Sequence, residues 1–486
     1  LRRQRNGSYS SSRKKLARPK LLRRLARRRA CSMAVANPKQ LAEHLKLNLD
    51  TDQLTNCMRC GFCQTACPTF QETGLEAASP RGRIALMKAV YDGKMEPDAL
   101  FQSQMDLCLG CRACEPACPS DVKYGQLIEQ TRESIASVAE YSWPVKRIRR
   151  LFMEQLFPNH GRMRLVGSLL KAYQAGGLQK LAHAVGVMKL FPQHMREMEA
   201  ILPEASGDGV IRRWEKHGLP ARWEQAEGTG QPVLVIPAVG ESLGRAGLFR
   251  GCIMDVLFTE TNVNTVKLLR LAGYEVVIPT SQTCCGALHA HAGETGSARR
   301  LAEQNIAAFA GAHVDFVVSN AGGCGASLKE VDHLLHGEPA AVAFAAQVRD
   351  VSELLIEGRP LPLRQDSGAA HVTATYQDSC HLRNVMRVSS PPRQLIAQMP
   401  GVKLQELQGA DRCCGSAGIY NLTQPEMSTD VLDHKMEHVE KTRAQVILTA
   451  NPGCLLQMKW GVHRHGKSGE MEAMHLVDFL AEAVER

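Results

Sequence analysis

Eight cysteines between positions 57 and 118 have the spacing of metal ligands. Cys57, Cys60, Cys63 and Cys67 read C-x2-C-x2-C-x3-C and are followed by Pro68; Cys108, Cys111, Cys114 and Cys118 repeat the run and are followed by Pro119. Three thiolates at two-residue gaps can wrap one loop around three irons of a cubane, while the fourth reaches the other cluster. The pattern predicts two [4Fe–4S] clusters, one on Cys57, Cys60, Cys63 and Cys118, the other on Cys108, Cys111, Cys114 and Cys67. The proline lacks an N–H and cannot continue a helix, so the chain turns away after each fourth cysteine. Disulfides would need an oxidising compartment, to which nothing else points, and zinc sites pair two C-x2-C knuckles rather than triplets with an isolated Cys-Pro. The chemistry implied is one-electron transfer.

A second set of cysteines marks an internal duplication. Cys252, Cys284, Cys285 and Cys324 recur as Cys380, Cys413, Cys414 and Cys454, at offsets of 128, 129, 129 and 130 residues. A shift that constant over four landmarks is a repeat. Strand-like runs lie at 233–237, 247–251, 274–279, 314–320, 372–377, 402–407 and 444–451, with helical stretches between them. Alternating strands and helices predict parallel sheets with crossover helices. Each of these cysteines sits just after a predicted strand, and ligands of open α/β sheets sit beyond the carboxyl ends of strands. Each half should therefore bring its loops to one point. An adjacent Cys-Cys pair can grip two irons of a cluster more readily than it can serve one tetrahedral zinc. Gly286 and Gly415 leave room for backbone to approach a metal, as do Gly322, Gly323 and Gly453.

The elements that must carry these loops are mostly helices in the first half of the chain. Residues 38–55 read as a helix leading into the first motif, and 122–138 as a helix leaving the second. Between the motifs Ser79-Pro80-Arg81-Gly82-Arg83 opens a helix with an apolar face. Arg81 and Arg83 are placed to donate to sulfur or to a partner's carboxylates, or simply to solvate a helix start. Residues 141–232 hold no candidate ligand. Their Arg-, Lys-, Leu- and Met-rich pattern predicts amphipathic helices packed on the body as a connector, with docking to a partner or membrane surface as the alternative; 204–232 reads as a linker.

Of 59 Lys and Arg, thirteen fall in residues 1–33 beside no acid, which leaves 46 basic against 49 acidic residues in the body. The formal charge of +10 thus belongs to the tail, and a nucleic-acid-binding role is disfavoured. The tail should be disordered. It reads as translated upstream sequence with Met33 as start, as a targeting leader, or as a basic arm. No run of 18 apolar residues is present, so no membrane span is expected. The expectation is a cytoplasmic chain, with peripheral attachment to the inner face of the cytoplasmic membrane left open. All cysteines but Cys31 fall in the two patterns, as suits reduced, metal-bound thiolate.

The residues NCMRCGFCQTACPTF, SPRGRIALMKAV, CLGCRACEPACPS, TCCGA, RCCGSAGIY and TANPGC, together with the repeat, resemble the iron–sulfur subunit family of bacterial glycolate oxidase. The resemblance covers the chain from about residue 38. It implies an α+β protein: an α-helical two-cluster ferredoxin domain (38–140) after the tail (1–37), a helical connector and linker (141–232), and two α/β cysteine-rich CCG domains (233–365 and 366–486). It also implies an electron-transfer subunit that takes electrons from an FAD-containing subunit oxidising glycolate to glyoxylate and passes them to a quinone or membrane-linked acceptor. The equivalent subunit of a lactate or glycerol-3-phosphate oxidoreductase, or of a CCG-type disulfide reductase, is the alternative. The fuller CCG pattern ends in C-x2-C; here Ala321 and Asn451 stand at the first of those positions. Each half thus offers four cysteines as possible third and fourth sites, and leaves [4Fe–4S], zinc or an empty site open. No catalytic residue is expected on this chain. Cys380-His381 could be a nucleophile pair, but the equivalent Cys252 is followed by Ile253, so His381, like His289 and His291, reads as a supporting or surface group. No P-loop or G-x-G-x-x-G follows a strand, so no nucleotide or flavin is expected.

Overall fold

The computed structural model describes residues 37–364 and 372–484; the basic tail lies outside the described residues. The first part is helical. Pro38–Asn48 and Thr51–Thr55 form two helices where one was expected. The break falls at Leu49-Asp50, because the Asp50 carboxylate accepts from the N–H groups of Asp52 and Gln53 and so starts a new helix. Pro80–Tyr91 is opened by Ser79, whose hydroxyl accepts from Gly82 N at 3.1 Å. These helices and Ala99–Asp106 and Tyr124–Val138 enclose a core of Leu41, Leu45, Met87, Phe101, Met105 and Leu127. Each is worth roughly 1.5–3 kcal/mol of burial. The motif loops are held on the rim of this core.

The α/β part contains two sheets. The first runs β1 (Arg222–Gln225), β2 (Pro232–Ile236), β4 (Glu275–Pro279), β3 (Arg245–Leu248), β5 (Phe316–Ser319), β6 (Val348–Asp350). The second runs β10 (Glu472–His475), β9 (Val446–Thr449), β7 (Val372–Tyr376), β8 (Val402–Leu404). The parallel strands β4-β3-β5-β6 and β8-β7-β9-β10 have the same order and the same chain sequence, so the cysteine repeat is a repeat of topology. The first sheet is not wholly parallel as expected: β2 pairs antiparallel with β4, and β1 with β2. The run at 233–237 therefore lies outside the repeat and extends one edge. β6 and β10 were not legible as strands. They are three and four residues long and each leads straight into a helix.

Residues 204–232 are not a linker throughout. Gly209–Lys216 is a helix whose Trp214 is fully buried, and β1 follows it. Val210 N donates to Asp255 Oδ1 at 2.8 Å, tying this helix to the first half. The two halves share one apolar core, which includes Val266 and Leu269 of helix Thr259–Leu271, Leu480 of Leu476–Ala483 and Ile396 of Ser390–Gln398. Among the described residues no helix is long and apolar enough to cross a membrane.

Candidate metal centres

The two motif loops turn left-handed at equivalent positions. Arg59 (φ 57°) and Gly61 (φ 92°) flank Cys60; Gly110 (φ 66°) and Arg112 (φ 58°) flank Cys111. Left-handed residues at the same two offsets curl each loop. In the second, Gly110 N donates to Cys108 Sγ at 3.4 Å. Such N–H···S bonds favour the thiolate and tune a cluster's potential.

Cys57, Cys60, Cys63 and Cys118 line one cavity with Tyr124, Arg81 and Cys114. Cys67, Cys108, Cys111 and Cys114 line a second with Arg83 and Tyr124. Cys114 and Tyr124 thus stand between the two. Cys60 is exposed, whereas Cys67, Cys108, Cys111 and Cys114 are buried. Burial pushes Cys63 up to about 11, with neighbouring Cys57, Cys60 and Cys67 adding to it and the backbone near Arg81 opposing it. Burial would also raise Cys108, but Arg83, Arg132 and the Gly110 N–H bring it below its ordinary value.

Arg83 supplies the test of fit. It is fully buried, donates from Nε to Gln104 O at 2.7 Å and from one terminal nitrogen to Thr69 Oγ1 at 3.1 Å, and leaves the other terminal nitrogen without a partner. A buried guanidinium without a carboxylate beside four thiols is costly unless something anionic is there. An all-sulfur ring facing a buried cation suits an anionic cluster. Arg81 has a different place: it pairs with Glu76 at 2.5 Å and donates to Arg59 O at 3.0 Å, bracing the first loop.

In the first α/β half, Cys252 Sγ lies 3.7 Å from Cys284 Sγ. Cys285 contacts both Cys284 and Cys324, and these contacts set it well below its ordinary value against the opposing effect of burial. In the second half Cys380 and Cys414 meet Cys413, and Cys414 also meets Cys454. Each set of four is therefore brought together at the carboxyl ends of its strands. Gly415 (φ 94°) turns its N–H to Cys413 Sγ at 3.5 Å, as Gly110 does for Cys108. A Cβ there would meet Ser428 O at 2.6 Å, so glycine is required. Asn451, in the place of the absent fifth cysteine, donates from Nδ2 to Cys454 Sγ at 3.6 Å and accepts from Gly323 N at 3.0 Å. Its side chain thus links the two halves. Among the described residues no three His, Cys, Asp or Glu side chains close on a single ion-sized point.

Cys111, in the second motif loop, stands against Cys413 of the second α/β half. That contact, and then burial, pushes Cys111 well up. Asn384 Nδ2 donates to Cys111 O at 2.9 Å, and Tyr420 OH donates to Leu107 O at 2.8 Å, clamping the loop from the α/β side. Arg112 pairs with Glu115 at 2.9 Å and also reaches Glu330 of the first half. Spacing could not show the contacts between the loop and the α/β halves, since they join positions 218 to 313 apart.

The histidines are structural. His289 is buried with Nε2 2.7 Å from Met153 O, and His291 Nδ1 lies 3.1 Å from Glu129. His381 packs on His291 and has Nδ1 3.4 Å from Cys380 Sγ. Packing around it, then His291 and Arg112, push His381 down to about 3, so it stands as neutral imidazole.

Family models match three regions: a 4Fe-4S dicluster domain at 53–122, the linker region of glycolate oxidase iron-sulfur subunits at 144–202, and a cysteine-rich domain twice, at 246–329 and 374–459. The chain is 47% identical over 452 residues to a probable glycolate oxidase iron-sulfur subunit of Bacillus subtilis, covering 92% of this chain and 97% of that one. It is 28% identical over 462 residues to the glycolate oxidase iron-sulfur subunit of Escherichia coli, covering 92% and 99%. It is 33% identical over 241 residues to lactate utilization protein A of Geobacillus kaustophilus, covering 49% of this chain and 98% of that one. The duplicated motif loops, the duplicated cysteine-rich halves and the connector between them are all matched. This chain belongs to the family of glycolate oxidase iron-sulfur subunits, and is an iron–sulfur, electron-transferring subunit of an oxidoreductase.

Proposed function

We propose that this chain carries electrons singly from an FAD-containing partner, which oxidises glycolate to glyoxylate, to a quinone-linked acceptor. Cys57, Cys60, Cys63 and Cys118 would hold one [4Fe–4S] cluster and Cys67, Cys108, Cys111 and Cys114 a second. Cys252, Cys284, Cys285 and Cys324, and Cys380, Cys413, Cys414 and Cys454, would hold two more centres. When bound, these groups supply one-electron carriers that divide two-electron flavin chemistry into single steps.

The observation that carries the reading is a continuous line of thiols. It begins at exposed Cys60, passes Cys114 between the two ferredoxin-type cavities, and reaches Cys413 through Cys111. The chain's own residues keep this line dry and rigid: Tyr420 and Asn384 clamp the second loop, and Arg83 lowers the cost of burying negative charge. On this reading substrate oxidation takes place on the partner, and this chain supplies only carriers. Half of the chain also matches lactate utilization protein A, which favours a lactate donor as the second reading.

The test is anaerobic affinity purification of the chain from its own host, with the eluate assayed for dye reduction by glycolate, D- and L-lactate and glycerol-3-phosphate. We expect glycolate-dependent reduction with a co-purifying flavoprotein. Reduction by lactate alone would replace the donor. A chain that co-purifies with no flavoprotein and supports no reduction would end the relay proposal.

A further inference from the structure

The connector turns an apolar stripe outward. On His160–Ala175, Leu165 and Leu169 are 62% and 63% exposed one turn apart. On Leu178–Ala184 and just beyond it, Leu178, Leu181 and Val185 follow at helical spacing and are 53%, 56% and 65% exposed; Leu190 reaches 84%. Helices use this periodicity to face a core. Here a different face meets the body: Met163 is buried, and a Cβ on Gly167 would strike Ser206 O at 2.4 Å. The expected connector is therefore packed on the body with its other apolar face uncovered.

The charge of the segment indicates what covers that face. Residues 160–190 hold Arg162, Arg164, Lys171, Lys180 and Lys189 and no Asp or Glu, in a body that is near neutral, and the nearest acids of the connector are engaged. Glu154 is taken by Arg150 at 3.0 Å, Glu197 accepts from Trp460 Nε1 at 2.8 Å, and Glu199 accepts from Tyr173 OH at 3.1 Å. Lys171, Lys180 and Lys189 remain exposed beside the stripe. Protein interfaces are depleted in lysine and anchored by aromatic residues and arginine. A Leu and Val stripe flanked by lysines is instead the pattern of helices lying in the plane of an anionic bilayer surface.

We propose that residues 160–190 form a docking surface for anionic phospholipid, with the leucines entering the headgroup boundary and Lys171, Lys180 and Lys189 meeting lipid phosphate. This agrees with a membrane-held acceptor but rests on neither the donor nor the acceptor, and it is read without turnover.

The experiment floats the full chain, purified with its iron–sulfur absorbance intact, with vesicles of phosphatidylcholine with and without phosphatidylglycerol. We expect co-flotation with the anionic vesicles only, weakened by salt. Leu169→Glu combined with Leu181→Glu should weaken it by about tenfold or more, and Lys180→Glu with Lys189→Glu should remove the preference for phosphatidylglycerol. Leu47→Glu, at a leucine 82% exposed elsewhere, should change nothing. Cluster absorbance and circular dichroism show whether each variant is folded. Failure of the loaded wild-type chain to float with anionic vesicles overturns the proposal, as does a folded leucine double variant that floats unchanged. Leucine variants that abolish self-association or flavoprotein capture while vesicle binding persists would assign the face to a protein partner instead.

Discussion

Arg83 is the residue on which the sequence was least informative and the structure most. In the sequence it is one of two arginines at a helix start, where solvation is the ordinary outcome. In the fold it is fully buried beside Cys67, Cys108, Cys111 and Cys114, and is held above its ordinary value by Tyr124, Cys108 and Cys67 against the cost of burial. Its charge opposes the charge that an electron brings. Arg83→Gln should therefore lower the reduction potential of the cluster proposed on these cysteines, by on the order of tens of millivolts. Redox titration followed by electron paramagnetic resonance would measure this. An unchanged potential, with the iron content retained, would mean that the guanidinium serves packing alone.

At the scale of elements, the strand-to-helix junction at Asp350 carries a buried carboxylate with a measurable consequence. Asp350 ends β6 and caps Val351–Glu357: Oδ1 accepts from Ser352 N at 2.9 Å and from Ser352 Oγ at 2.5 Å, while Asp350 N donates to Glu353 at 2.8 Å. Its Oδ2 is buried without a partner. Burial pushes the carboxyl up to about 7, against the pull of the Ser352 bonds. An unfolded aspartate titrates near ~3.9. Between these values the folded chain keeps a proton that the unfolded chain has lost, so this group makes stability fall as pH rises from about 4 to about 7. Asp350→Asn keeps the capping oxygen and removes the titration. The loss of thermal midpoint between pH 5 and pH 8 should shrink by on the order of 2 °C. An identical pH dependence in the variant would show that Asp350 is ionised in the fold.

At the scale of the whole molecule, the helical part is docked so that its second motif loop meets the second α/β half at Cys111 and Cys413, while Arg112 reaches the first half through Glu330. The two halves share a strand order but have different neighbours, so the duplication is not symmetric in its contacts. Cys413→Ser should lose metal from the second half while leaving the ferredoxin-type centres loaded. It should also slow the spin relaxation of the centre on Cys108, Cys111 and Cys114, because a paramagnetic neighbour has been removed. Iron analysis with microwave power saturation would decide this; unchanged iron and unchanged saturation would mean that the second half holds no paramagnetic centre beside that loop.

The sequence by itself determined the local features. Cysteine spacing is a property of a short loop, so the two runs could be read from residue types alone; the left-handed turns at Arg59 and Arg112 could not, since arginine has no preference for positive φ. A constant offset of about 129 residues is likewise visible in one dimension, and it proved to be a repeat of strand order. What the sequence did not contain was which surfaces meet. The antiparallel edge of β1 and β2, the short strands β6 and β10, and the break at Leu49-Asp50 were decided by tertiary pairing and by one capping carboxylate, where local pattern is weak. The contact of Cys111 with Cys413, the burial of Arg83 and the outward stripe of the connector all depend on how separately folded parts pack. Packing is governed by shape and by the removal of apolar surface from water, and neither is written in residue spacing.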